Sequence, residues 1–213
     1  MARYKCALSV CILFIALFLG MGEVLAIELK SAKQLKMQGI QRQTLDYSCG
    51  AASLAILLKG YFGEAYEEQD LLDDIVYRLS SDEIKDRMLY GFSMLDLKKA
   101  SERLGYNAEG VKLPKEAVTA LKGPVIILLR RSDLNHFVVL KGVRGGTAFL
   151  ADPARGHIRI PLYALFEEWE GEALIIGRDG FGLPKFHDLK VAEGNAVSPE
   201  KQTVRALQQA PLF

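Results

Sequence analysis

The sequence predicts an α+β domain in which helices come first and an antiparallel sheet follows. Residues 51–58 form an apolar run broken only by Ser53, and further segments before Gly105 carry apolar residues at helical spacing. From Pro124 onward the apolar residues come in short runs, or alternate with polar ones, between glycines and prolines. Arg144-Gly145-Gly146 separates two of these runs as a hairpin turn would. A chain of 213 residues, half of them apolar, is large enough for one well-buried core, so one domain is expected.

Residues 1–26 stand apart from that domain. Arg3 and Lys5 precede an apolar stretch at 6–21, and Val24-Leu25-Ala26 fits a signal-peptidase site, so export to the periplasm with cleavage after Ala26 is expected, a retained membrane anchor being the alternative because the stretch is near the lower limit for spanning. The membrane then meets the chain only through this segment, before cleavage. Residues 27–177 are read as the folded domain, and 178–213 as a loosely held tail with a docked segment at 181–189.

Within the domain, residues 27–42 form an aperiodic lead-in at its edge. Ser48 is expected to cap a helix that carries Cys49 on its first turn and stops near Lys59-Gly60, with Gly63 just beyond. Residues 67–79 place Leu71, Leu72, Ile75, Val76 and Leu79 on one face of an amphipathic helix. A short helix at 82–88 follows, then a helix to Leu104 that starts at Ser93 with Asp96 three residues on. An edge strand at 106–113 and a short helix at 114–121, with proline in its first turn, lead to the sheet. Strands are expected at 125–129, 137–143, 147–151, 155–160 and 173–176, with a helical turn or two at 162–169.

Charge narrows the function. The 27 basic and 26 acidic residues lose Arg3, Lys5 and Glu23 with the leader, leaving 25 of each. A neutral chain offers no basic face for nucleic acid and no polybasic membrane patch. Cysteine usage is more informative. Cys6 and Cys11 leave with the leader, so the exported protein keeps Cys49 alone and cannot form an internal disulfide. At the start of a helix, the unpaired backbone N–H groups and the positive end of the dipole favour a thiolate, which makes Cys49 a candidate nucleophile.

A thiolate needs a base, and the base needs an orienting partner. The chain has three histidines. His136 opens the strand at 137–143, and Asp152 ends its hairpin partner just before Pro153. A turn about Gly145 sets residues whose numbers sum to about 288 to 290 opposite each other, so Asp152 is expected across from His136 or one step away. Gln43, upstream of the cysteine, can supply a side-chain donor to an oxyanion alongside the Cys49 backbone N–H. Gln41 is a weaker candidate for that role. His157 and His187 lack partners at metal-ligand spacing, so no zinc site or other cofactor is expected. Trp169, Tyr163, Leu165 and Phe166 are read as core or cleft wall, and Glu167, Glu168, Glu170 and Glu172 as a solvated acidic face.

Taken together, Gln43, Cys49-Gly50-Ala51-Ala52, His136-Phe137-Val138-Val139 and Asp152-Pro153 resemble the bacteriocin-processing peptidases that cut after a double glycine, cysteine peptidase family thirty-nine. The spacing carries the likeness: a glutamine six residues before the cysteine, and Asp-Pro sixteen after the histidine. The resemblance implies a papain-like fold, with N-terminal helices packed on a C-terminal antiparallel sheet. It also implies Cys49 as nucleophile, His136 as base and then acid, Asp152 as orienting group and Gln43 as oxyanion donor. Two departures are visible. Ser48 stands where many members carry an acidic residue, and neither a phosphate-binding loop nor a transmembrane bundle accompanies the domain.

In length and layout the chain also resembles the exported peptidases of bacterial functional-amyloid (Fap) secretion systems. That likeness implies a peptide or protein substrate among secretion-system or fibril components. The expected function is thus an exported cysteine endopeptidase. The alternatives are a non-cutting module that binds a leader or secretion partner, and a hydrolase of cell-wall peptides.

Overall fold

A computed structural model describes residues 31–130 and 135–191; the leader expected at 1–26 lies outside the described residues. The chain divides into Met1–Lys33, of which residues 31–33 are described, and Gln34–Phe213, which holds the sheet and the helices packed on it. No helix among the described residues is long and apolar enough to cross a membrane.

A short helix, α1 (Ala32–Lys36), buries no side chain. The central element is α2 (Cys49–Leu57), all nine of whose residues are buried. Apolar on every side, it is stable only when surrounded, and each of Leu54, Ile56 and Leu57 contributes about 1.5–3 kcal/mol by leaving water. Around it pack α3 (Glu68–Val76), through Leu71, Leu72 and Ile75, and α5 (Met94–Arg103), through Leu97 and Ala100. Capping boxes start α3 at Glu67 with Asp70, α4 (Ser81–Tyr90) at Ser80 with Glu83, and α5 at Ser93 with Asp96. Helix α4 buries no residue and is longer than its sequence suggests, because it is held by its cap and not by a core-facing stripe.

Two expectations about α2 are corrected. Ser48 makes no side-chain cap; its hydroxyl donates to the Leu45 carbonyl at 2.8 Å and accepts the Leu45 N–H at 3.1 Å. The helix also does not stop at Gly60. It widens into a π-helical turn, Leu58–Phe62, and ends at Gly63, whose φ of 77° is the left-handed conformation a helix stop needs. Gly60 serves a close approach instead. A Cβ there would lie 2.8 Å from Leu189, and its carbonyl accepts the Asp188 N–H at 2.9 Å. Leu189, 2% exposed, thereby joins the helical core, and Phe181 packs against that core too.

Six antiparallel strands form one sheet in the order β1-β6-β2-β3-β4-β5. They are β1 (Asn107–Lys112), β2 (Val125–Arg130), β3 (Asn135–Arg144), β4 (Thr147–Asp152), β5 (Gly156–Pro161) and β6 (Glu172–Gly177). A 3-10 turn at Lys115–Ala120 and helix α6 (Leu162–Glu168) complete the set. The sheet is buried on both faces, as β3 shows: Phe137 and Val139 meet the helices, whereas Val138 and Leu140 meet a second core with Leu165 and Trp169. Gly145 and Gly146, at φ 54° and 71°, form the two-residue turn between β3 and β4.

The register shifts between Leu140 and Gly142 and runs on as Leu140↔Leu150 and Val139↔Ala151. Continued, it sets Asp152 level with Val138, two residues from His136 instead of opposite or adjacent to it. Paired residue numbers sum to 291 beside the turn, which centres between Gly145 and Gly146, and to 290 beyond the shift, so the bulge brings Asp152 one step nearer His136 and the remaining offset comes from the turn. Because the displacement is an even number, the two side chains remain diagonal neighbours on one face.

Candidate active site

Cys49 sits on the first turn of α2 and is 4% exposed. Two neighbours determine how closely that turn approaches β3. A Cβ on Gly50 would lie 3.1 Å from Leu97 and 3.3 Å from Phe137, so glycine lets the helix start press against both α5 and β3. One helical turn on, the buried Ser53 hydroxyl donates to the Phe137 carbonyl at 2.9 Å. Since Ser53 follows Cys49 by four residues and Phe137 follows His136 by one, this bond ties the cysteine-bearing turn to the histidine-bearing strand.

His136 Nε2–H donates to Asp152 Oδ1 at 3.0 Å, leaving Nδ1 as the ring's other hydrogen-bonding atom. The imidazole also interacts with the Cys49 side chain, which helps to keep it protonated. Burial alone would depress its basicity, but the interactions with Asp152 and Cys49, and their charges, outweigh burial and raise the pKa to about 9. Asp152 is completely buried. Burial disfavours its charge, yet the His136 bond, the Arg155 guanidinium and the Ala154 N–H hold its carboxyl well below the usual range. At neutral pH the site is therefore organised around an imidazolium and a carboxylate.

Gln43 lies beside them on a loop with three anchors. Its own N–H donates to the Pro153 carbonyl at 3.2 Å, next to Asp152. The Thr44 N–H donates to both oxygens of the buried Glu68 carboxylate, at 2.9 and 3.0 Å. The Ser48–Leu45 pair closes the turn. The Gln43 amide, however, donates to the Leu45 carbonyl at 3.1 Å, and its Oε1 is buried without a partner among the described residues. Its second amide hydrogen is what remains for an oxyanion. Gln41 donates to the Arg42 carbonyl at 3.4 Å and does not line the cleft.

Gln43, Cys49 and His136 share the wall of a cleft of about 470 Å³ with Asp46, Tyr47, Asn135, Ala154 and Arg155. Its remaining rim is Met88-Leu89-Tyr90-Gly91 at the end of α4, where Leu89 is 67% and Tyr90 73% exposed. Sequence reasoning passed over this rim; the available signal was three large apolar residues closing an otherwise polar helix. It also passed over Ser53, Glu68 and Arg155. Arg155 was findable as the second residue after a turn-forming Asp-Pro, whereas Glu68 and Ser53 act on residues 24 and 84 positions away.

The other candidates lie elsewhere. His157 faces the Gln38 carbonyl at 3.0 Å, and His187 packs edge-on to Tyr61. No cluster of three or more metal-binding side chains occurs among the described residues. Trp169 is core, donating to the Glu172 carbonyl, and Tyr163 is 70% exposed and walls neither core nor cleft. Glu170 and Glu172 pair with Arg130.

Comparison with known proteins adds four likenesses. The Peptidase C39 family profile matches residues 37–179. The probable functional amyloid protease FapD of Pseudomonas aeruginosa is 30% identical over 154 residues, covering 72% of this chain and 67% of that protein. A double glycine motif protease from an AMS/PCAT transporter, crystallised with the leader peptide, matches at TM-score 0.53 and 31% identity over 64% of this chain and 89% of that one. The peptidase domain of Streptococcus ComA, a bi-functional ABC transporter involved in quorum sensing, matches in fold at TM-score 0.54 and 21% identity, over 64% of this chain and 96% of that one.

Proposed function

The chain belongs to the Peptidase C39 family and is a cysteine peptidase of papain-like fold, and on that premise we propose that it cleaves a protein substrate through Cys49, His136 and Asp152. The observation that carries this reading is the His136 ring, hydrogen-bonded to Asp152 at 3.0 Å and sharing the wall of one cleft with Cys49. Cys49 as thiolate attacks the scissile carbonyl, forming an S–C bond. The resulting oxyanion faces the Cys49 backbone N–H and the Gln43 amide. As the C–N bond breaks, the His136 imidazolium gives its proton to the departing amine. Water then attacks the acyl-enzyme, His136 takes up the water's proton, and the thiolate is released. Asp152 keeps the ring oriented throughout without reacting.

Two relatives support a substrate class. One bears the name of an amyloid protease and another was crystallised on a leader peptide. We assign this chain a polypeptide handled by a secretion or fibre-forming system, met in the periplasm after residues 1–26 are removed. The test compares new protein N-termini in cells carrying wild type, Cys49→Ala and His136→Ala. Termini that vanish in both variants, together with a mature start at Ile27 in the periplasmic fraction, are expected. Identical termini in all three strains would refute the peptidase site, and recovery of the intact N-terminus would refute cleavage of the leader.

A further inference from the structure

The two oxygens of the buried Asp152 carboxylate are divided between different partners. Oδ1 accepts His136 Nε2–H at 3.0 Å and the N–H groups of Ala154 and Arg155 at 2.8 and 3.0 Å. Oδ2 accepts the Arg155 Nε–H at 2.7 Å. The backbone bonds fix one oxygen of a side chain that is free to pivot about it, and the guanidinium fixes the other. We propose that Arg155 is a positioning residue, which acts on His136 through Asp152 by taking a share of the carboxylate's negative charge. The proposal rests on reading Cys49, His136 and Asp152 as the reacting set.

Charge gives this role a measurable sign. Asp152 carries one negative charge between two cations, His136 on one side and Arg155 on the other. Facing the imidazole are Cys49 from α2 and Asp152 from β4, while Asp46, Tyr47, Tyr90, Asn135 and Arg155 form the rest of the polar cleft wall. Neutralising Arg155 leaves the carboxylate to His136 alone, so the imidazolium is held more tightly and loses its proton at higher pH. An arginine that served only to brace the β4–β5 turn would act in the opposite sense. Its loss would loosen the His136–Asp152 bond and let the proton leave at lower pH.

The experiment is an NMR titration of the three histidines in the full chain, the His136 signal being the one absent from His136→Ala. In Arg155→Gln, whose amide can still donate to Oδ2, the His136 midpoint should rise by about half a pH unit. In Arg155→Lys, which keeps the charge, it should return to the wild-type value. An unmoved or lowered midpoint in Arg155→Gln overturns the proposal, and should that variant fail to fold, a lowered midpoint in Arg155→Lys does so. Alkylation of Cys49 by iodoacetamide at pH 6 separates this from the underlying reading. If His136→Ala alkylates as fast as wild type, the Cys–His pair itself fails; if it slows while Arg155→Gln titrates like wild type, only the role of Arg155 does.

Discussion

Replacing Ser53 by alanine removes one hydroxyl from a site with no solvent exposure and breaks the 2.9 Å bond to the Phe137 carbonyl. Alanine is the better helix former by about 0.5 kcal/mol. Against that gain stands a lost hydrogen bond inside the core, with the carbonyl left short of a partner, at about 1–3 kcal/mol. The net expectation is a destabilisation of about 1–2 kcal/mol, seen as a fall of about 0.5–1 M in urea midpoint and about 3–6 °C in Tm. Trp169, the single tryptophan and fully buried, reports the unfolding by fluorescence. Because the same bond ties the turn bearing Cys49 to the strand bearing His136, iodoacetamide alkylation of Cys49 at pH 6 should slow as well. A urea midpoint at or above wild type, with alkylation unchanged, would refute the idea that this bond sets the spacing of the pair.

Two further outcomes follow from the geometry. The His136–Asp152 pair makes stability depend on pH from both sides. Asp152 is depressed in the fold, so its contribution is present above the unfolded carboxyl value of about 4 and is lost as pH falls below it. His136 is raised to about 9, so its contribution is complete below about pH 6.5 and is lost as pH climbs toward 9. Urea midpoints taken from pH 3 to 10 should decline at both ends, and Asp152→Asn should flatten both slopes; equal slopes in the two proteins would exclude the pair as their source. Gly156→Ala tests the seat of the N-terminal segment, since a Cβ there would lie 2.3 Å from the Lys36 carbonyl at a φ of 80°. A loss of about 2–3 kcal/mol and new tryptic cutting at Lys36 or Arg42 are expected, whereas a wild-type digest would show that the segment does not depend on this contact.

The division between what could be read from the chain and what could not follows the range of the interactions. Helix α2, the β3–β4 hairpin and the Cys49, His136 and Asp152 candidates were legible because each depends on residues a few positions away: an apolar run, a Gly-Gly turn, an Asp-Pro at a strand end. The same local logic misread Ser48, a good cap by type, whose hydroxyl turns back to Leu45 while the helix start is held by Gly50 against Phe137 and Leu97. It misread Gly60, which stops helices by type but here admits Leu189. The β3–β4 turn centres between Gly145 and Gly146, half a residue beyond Gly145, and a bulge within β3 near Lys141 recovers only one step of the resulting offset between Asp152 and His136.

The sequence by itself determined the kinds of element, their order and the chemistry available, because backbone preference and side-chain reactivity are properties of a residue and its near neighbours. Only the tertiary structure decided that Ser53 joins α2 to β3, that Glu68 holds the loop carrying Gln43, that Arg155 divides Asp152 with His136, and that the end of α4 forms the rim. The bonds of Ser53 and Glu68 join segments 84 and 24 positions apart that burial of a shared core brings together, and no local pattern encodes which partner a buried hydroxyl or carboxylate will meet.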